Sequence, residues 1–148
     1  MNIALLGCGV VGGGVLEIAE KRADMSVKYV LVRRDKPELG EKAVKDINVI
    51  LNDDEVDTVV EVMGGLSPAY EYVRAALRAG KNVVTANKQL IANHWGELEA
   101  EAKKTGAGLY FEASVGGGIP CLRAVTDSLQ ANYIDSVYGI VNGTTNFI

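Results

Sequence analysis

Histidine, cysteine and basic residues in excess are what this sequence has least of, and each shortage narrows its chemistry. The only histidine is His94 and the only cysteines are Cys8 and Cys121. A cysteine nucleophile working through a thioester needs a histidine base, so a lone histidine argues against thioester-forming aldehyde dehydrogenases. The two cysteines are far apart and lack metal-ligand spacing, and Cys8 sits inside a tight turn; a disulfide framework is not expected and a reducing compartment is. Cys121 follows a proline at a helix start, where a thiol can be activated, but with no histidine near it a small buried cysteine is the favoured reading. Lys and Arg number 15 against 19 Asp and Glu, a formal charge of −4, which argues against a nucleic-acid partner. No apolar run approaches the length of a membrane span. The first apolar run is shorter than a signal-peptide core and has no basic residue before it. A cytoplasmic protein that binds neither membrane nor nucleic acid is expected.

The composition that remains, 48% hydrophobic and 23% charged over 148 residues, suits one soluble globular domain with a sizeable core. The organising stretch is Met1 to Val15, MNIALLGCGVVGGGV. An apolar run, Ile3 to Leu6, leads into Gly7, Gly9 and Gly12 at G-x-G-x-x-G spacing. Gly7 allows a sharp turn off a strand, Gly9 lets the backbone approach a pyrophosphate, and Gly12 lets a helix pack closely on the sheet. The helix then points its free N–H groups at the phosphates. A glycine-rich connector without a ligand is the bland alternative, and the position between strand and helix favours the phosphate reading.

Downstream, Val11, Val15, Ile18 and Arg22 step along one helical face, predicting that this face meets the sheet. Val27 to Val32 reads as a buried strand, Lys36 to Asp46 as a surface loop with some helix, and Ile47 to Leu51 as a short third strand. A turn of helix over Asp53 to Val56, a strand over Asp57 to Met63 and the break Gly64-Gly65 follow. Ser67-Pro68 reads as a cap with proline at the first helical position, opening a helix buried through Val73, Ala76 and Leu77 and ended by Gly80. Asn82 to Thr85 is the fifth strand. A helix from Gln89 to Lys104 carries Ile91, Trp95, Leu98 and Ala102 on one face, with Glu99 and Lys103 paired outside. Leu109 to Ala113 is a sixth strand, the GGGIP turn opens a helix with Leu122, Val125 and Leu129 in a stripe, and Tyr133 to Val141 is a last strand. The alternation predicts a Rossmann-type α/β fold: a doubly wound, mainly parallel sheet in the order 3-2-1-4-5-6 with helices on both faces.

Ligands on such a sheet lie outside the carboxyl ends of the strands, and here those ends carry Gly64-Gly65, Thr85 to Lys88, Glu112 to Gly118 and Asn142 to Asn146. Where an NAD-binding domain usually has an acidic residue on the ribose, this sequence has Arg33 and Arg34, suited to the 2′-phosphate of NADP. The alternative is a solvated basic pair with Asp35 as its salt-bridge partner. Lys88 is a candidate to orient a substrate oxygen or move a proton, against the alternative of a helix-start lysine facing water. Asp24, Asp53 and Asp54 read as surface charges, and His94 as a residue of a polar helix face.

Together these residues resemble the N-terminal nucleotide-binding part of the homoserine dehydrogenases. The resemblance rests on GCGVVGGGV at 7–15, VEVMGG at 60–65, TANK at 85–88, YFEASVGGGIP at 110–120 and GIVNGTTNFI at 139–148. It implies NAD(P)-dependent interconversion of homoserine and aspartate 4-semialdehyde, on the route to threonine and methionine. It also implies cofactor contacts from Gly7, Gly9, Val10, Val11, Gly12 and Gly64, with Lys88 close to both nicotinamide and substrate. Main-chain carbonyls of Glu112, Val115, Gly117 and Ile119 would hold a Na⁺ or K⁺ ion, and Gly143 and Thr144 would touch the substrate. Family members continue for well over a hundred residues into a substrate-binding and dimerisation region that supplies the main acid–base lysine. On that basis residues 1–141 are expected to form the NAD(P)-binding domain and 142–148 to begin the next region of a homodimeric enzyme. A dinucleotide sensor without catalysis is the competing function, in which Lys88 and the GGGIP loop have no obvious purpose.

Overall fold

Strand β1 (Asn2–Leu6) alternates its side chains between two cores, and the rest of the fold is built outward from it. Ile3 and Leu5 face one apolar cluster, with Val27, Val30 and Val60, while Ala4 and Leu6 face the other, with Val59, Val83 and Leu98. The computed structural model describes residues 1–139. Their elements run β1, α1 (Val10–Glu20), β2 (Ser26–Leu31), β3 (Ala43–Val44), α2 (Ile47–Leu51), β4 (Thr58–Glu61), α3 (Ala69–Arg78), β5 (Asn82–Thr85), α4 (Lys88–Thr105), β6 (Leu109–Tyr110) and α5 (Cys121–Ser128). Short 3₁₀ turns cover Pro37–Lys42 and Glu112–Ser114. All six strands are parallel, in the order β3-β2-β1-β4-β5-β6. Helix α1 covers the face of Ile3 and Leu5, and α3 and α4 cover the other. The chain therefore has the doubly wound fold expected of its pattern, with every strand pair parallel.

Three segments differ from the sequence reading. Ile47 to Leu51 is helix α2, because the Asp46 side chain accepts the Asn48 N–H at 2.9 Å and caps a helical turn. The third strand is instead Ala43–Val44, paired with Val30 and Leu31. The sixth strand stops at Tyr110, since Phe111 has φ −140° and ψ 15°, and the chain turns into the 3₁₀ segment. Residues 133–139 form no strand, and the remainder of the expected Tyr133 to Val141 strand lies outside the described residues.

Helix faces were also shifted. In α1 the buried residues are Gly12 and Ala19, whereas Val11 and Ile18 are exposed. Gly12 allows close packing, and the helix meets the core cluster through Gly12, Ala19 and the partly buried Val15 and Leu16, so of the expected face Val15 packs inward while Val11 and Ile18 do not. Pro68 precedes α3, which starts at Ala69, and Ser67 makes no backbone cap but bonds Glu71 at 3.3 Å. In α4, Leu90, Leu98, Glu101 and Ala102 are buried, while Trp95 is half-exposed against Phe111, ring centres 4.4 Å apart. The Glu99–Lys103 pair forms as expected, at 3.0 Å.

Candidate functional site

The carboxyl ends of β1, β2 and β4 open into a cleft of about 850 Å³. Its floor is the glycine turn, and both conformation and space explain the glycines there. Gly7 has φ +97°, and a Cβ on it would meet Met63 Cγ at 3.1 Å and Cα at 3.2 Å. A Cβ on Gly12 would stand 2.4 Å from the Gly7 carbonyl oxygen, an impossible contact. At Gly9, by contrast, a Cβ would meet no protein atom within 4 Å. Gly9 lines the cleft and is the residue before α1, so the missing side chain leaves backbone open to a ligand at a helix N-terminus. Val10 and Val11 begin that helix with their side chains exposed.

One end of the cleft is cationic. Arg33, Arg34, Lys36 and Lys45 all line it. Lys45 bonds Asp35 at 2.5 Å and Lys36 lies 3.5 Å from Glu38. Asp35, offered by sequence as a partner for the arginines, thus pairs with Lys45, whose hydrogen bond and charge hold its carboxyl below the usual range. Among the described residues Arg33 and Arg34 pair with no carboxylate, so their guanidinium donors stay available to an anion. The opposite wall is apolar and aromatic, formed by Val62, Met63, Pro68 and Tyr72. Such a shape and charge distribution, with a glycine turn between a basic end and an apolar wall, fits a dinucleotide whose pyrophosphate rests on α1.

A model of the homoserine dehydrogenase NAD-binding domain matches residues 7–112. The chain belongs to that family. It is 43% identical to the homoserine dehydrogenase of Bacillus subtilis, with all of this chain aligned but only 37% of the relative's length. The homoserine dehydrogenase structure from Thiobacillus denitrificans superposes with a TM-score of 0.79 at 36% identity, over 89% of this chain and 34% of that one. A hyperthermophilic archaeal homoserine dehydrogenase in complex with NADPH gives a TM-score of 0.72 at 26% identity, over 84% of this chain and 47% of that one. The chain thus spans little more than a third of the length of the Bacillus relative.

The other sites singled out by sequence lie apart from one another. Lys88 is exposed at the first position of α4 and does not line the cleft; Asn87 sets its place by accepting the Leu90 N–H at 3.1 Å as the helix cap. Gly64, with φ +73°, lies in the turn after β4 and donates its N–H to Glu61 at 3.3 Å. Glu112, Val115, Gly117 and Ile119 share one loop. Gly116 and Gly117 have φ of +70° and +62°, and the Glu112 carboxyl takes the Leu122 and Arg123 N–H groups at 3.2 and 3.1 Å, capping α5. Cys121 is half-buried there, its thiol 3.6 Å from the Val115 carbonyl. Gly143 and Thr144 lie outside the described residues. Among the described residues no helix is long and apolar enough to cross a membrane.

Asp53 is not a free surface charge. Lys28 approaches it at 2.6 Å, the Tyr29 hydroxyl donates at 2.8 Å, and together with the Glu55 N–H they hold its carboxyl down at about 2. His94 stacks on Tyr70 of α3 with ring centres 4.0 Å apart and lies 3.3 Å from Glu97, so it faces the neighbouring helix. Sequence reasoning gave Glu61 no role and named Thr85 and Asn87 only within the polar stretch that ends β5; the structure joins all three in a buried polar group at the ends of β4 and β5. A single carboxyl closing the otherwise apolar run Thr58-Val59-Val60 was the available signal.

Proposed function

We propose that this chain is the nucleotide-binding portion of an NAD(P)-dependent oxidoreductase that interconverts L-homoserine and L-aspartate 4-semialdehyde. The observation carrying the proposal is the glycine turn at the head of α1, open at Gly9, in a cleft whose one end presents Arg33 and Arg34. The nicotinamide, when bound, exchanges a hydride with the carbon bearing the substrate oxygen. The chain's own residues bind and orient. The Gly7 to Gly12 backbone takes the pyrophosphate, with Val10 and Val11 beside it, and the arginines take the 2′-phosphate of NADP in preference to NAD. The archaeal relative's complex with NADPH supports binding of a dinucleotide of the NADP type. Gly64 borders the nicotinamide half. Lys88, at the carboxyl end of β5, orients the substrate oxygen.

The same reading assigns a Na⁺ or K⁺ ion to the carbonyls of Glu112, Val115, Gly117 and Ile119, and substrate contacts to Gly143 and Thr144. Residues 1–141 then form the NAD(P)-binding domain and 142–148 begin a substrate-binding and dimerisation region of a homodimer. Titrating the purified chain with NADPH and NADH, followed by nicotinamide fluorescence, tests the central claim. Saturable binding with NADPH the tighter ligand is expected, and no binding of either would overturn it.

A further inference from the structure

The carboxyl group of Glu61 is wholly buried at the end of β4, and no basic side chain pairs with it among the described residues. Neutral donors satisfy it instead. Its Oε1 accepts the Met63 N–H at 2.8 Å, the Gly64 N–H at 3.3 Å and Asn87 Nδ2 at 3.5 Å, and its Oε2 accepts the Thr85 hydroxyl at 2.6 Å. Thr85 is the direct cross-strand partner of Glu61, and its Oγ1 accepts the Asn87 N–H at 3.0 Å. Asn87 in turn donates to the Gly65 carbonyl at 2.6 Å while capping α4. A buried carboxyl costs stability unless its hydrogen bonds are filled, and a sheet end can be closed with apolar residues at less expense. What these bonds do is join two loops. The turn Met63–Gly65 and the start of α4, with Lys88 as its first residue, are held in one relation through Glu61.

Met63 of the first loop lines the cleft, and the start of α4 is tied to that loop through Asn87, which bonds both Glu61 and the Gly65 carbonyl. The pyrophosphate site lies after β1, and the basic end lies after β2, so the other half of a dinucleotide extends over β4 and β5. We propose that Glu61, acting through Thr85 and Asn87, is a positioning residue for the nicotinamide half of the cofactor. It fixes the Met63–Gly65 wall relative to Lys88 so that the ring and the substrate oxygen meet in one geometry. This inference rests on the dinucleotide reading above.

The test compares two ligands on the 148-residue chain: NADPH, and adenosine 2′,5′-bisphosphate, which has the phosphate-bearing half alone. Thr85→Val keeps the side chain's shape and removes both Oγ1 bonds, whereas Thr85→Ser keeps them; Glu61→Gln keeps the shape and replaces one acceptor with a donor. Thr85→Val and Glu61→Gln are expected to weaken NADPH about five- to tenfold, roughly the worth of one hydrogen bond. Both should reduce the rise in nicotinamide fluorescence at saturation and leave the bisphosphate within about twofold. Thr85→Ser should restore wild-type behaviour. Equal weakening of both ligands would mean a merely structural role and would overturn the proposal, as would unchanged NADPH binding or a serine variant as defective as valine. If Glu61→Gln does not fold, the Thr85 pair decides by the same criteria. A wild-type chain that binds neither ligand would overturn the dinucleotide reading and this inference with it.

Discussion

At the scale of single residues, Gly12 and Gly14 sit two positions apart in one helix with opposite demands. A Cβ at Gly12 would collide with backbone, the Gly7 carbonyl at 2.4 Å, which has no flexible end to move aside. At Gly14 nothing lies within 4 Å. Gly12→Ala is therefore expected to cost about 1–3 kcal/mol by overpacking and to disturb the phosphate turn. Gly14→Ala should stabilise by roughly 0.5–1 kcal/mol, because helical glycine is entropically costly. Thermal unfolding of both variants checks the sign of each. Arg34→Ala removes a charge-assisted contact of about 1.5–3 kcal/mol, so NADPH should weaken on the order of tenfold or more while NADH changes much less. Equal weakening of both cofactors would show that the arginine does not read the phosphate. Gly7, Gly9 and Gly12 were legible in the sequence because their spacing reflects a backbone requirement. Glu61 was not, because its meaning depends on Thr85 lying opposite it, a register that no local pattern records.

At the scale of elements, the chain was readable where length and period agreed. The four-residue strands β4 and β5, apolar but for their polar ends, and the eighteen-residue helix α4 fell where their patterns put them. Ile47 to Leu51 did not, because five apolar residues fit strand and buried helix equally and the Asp46 cap decided for helix. Helices α3 and α4 are joined by the buried Glu101, whose carboxylate lies 2.8 Å from Arg78, 3.3 Å from Arg74 and 3.5 Å from Lys104. The hydrogen bond from Arg78 leads in holding it down at about 2, against the cost of burial. Asp53, held at about 2 chiefly by Lys28, similarly ties the loop after α2 to β2. Both folded-state values lie below the unfolded ones of about 4, so the stabilisation is fully present above about pH 4 and fades as pH falls toward 2. Unfolding midpoints followed by circular dichroism from pH 7 to pH 2 should therefore drop most steeply below pH 4. Glu101→Gln and Asp53→Asn should each be less stable than wild type at pH 7 and nearly equal to it at pH 2. A variant that runs parallel to wild type across the range would show that its carboxylate contributes nothing.

At the scale of the whole molecule, binding and turnover separate. The six-stranded sheet has apolar cores on both faces and its own helices to cover them, so folding and dinucleotide binding should need nothing beyond these 148 residues. Hydride transfer asks for more. The hydroxyl carbon must be held against the nicotinamide, where misplacement by ~1 Å can cost roughly a hundredfold. A group must also take the hydroxyl proton, a role worth roughly 10²–10⁴-fold. Lys88 is the one amine that α4 presents beside the ends of β4 and β5, and it stands outside the cleft lining. The chain aligns with only 37% of the Bacillus relative, and on the proposed reading the main acid–base lysine belongs to the part of the family with which this chain does not align. Homoserine with NADP⁺ at alkaline pH is therefore expected to yield negligible NADPH from this chain, and measurable NADPH from a version extended by the family's remaining region. Comparable rates from both would put the proton acceptor within these residues and make Lys88 the first to replace. NADPH binding by both, with turnover by neither, would instead favour a dinucleotide sensor, because a bound cofactor and an intact Lys88 would then be present without the chemistry they serve.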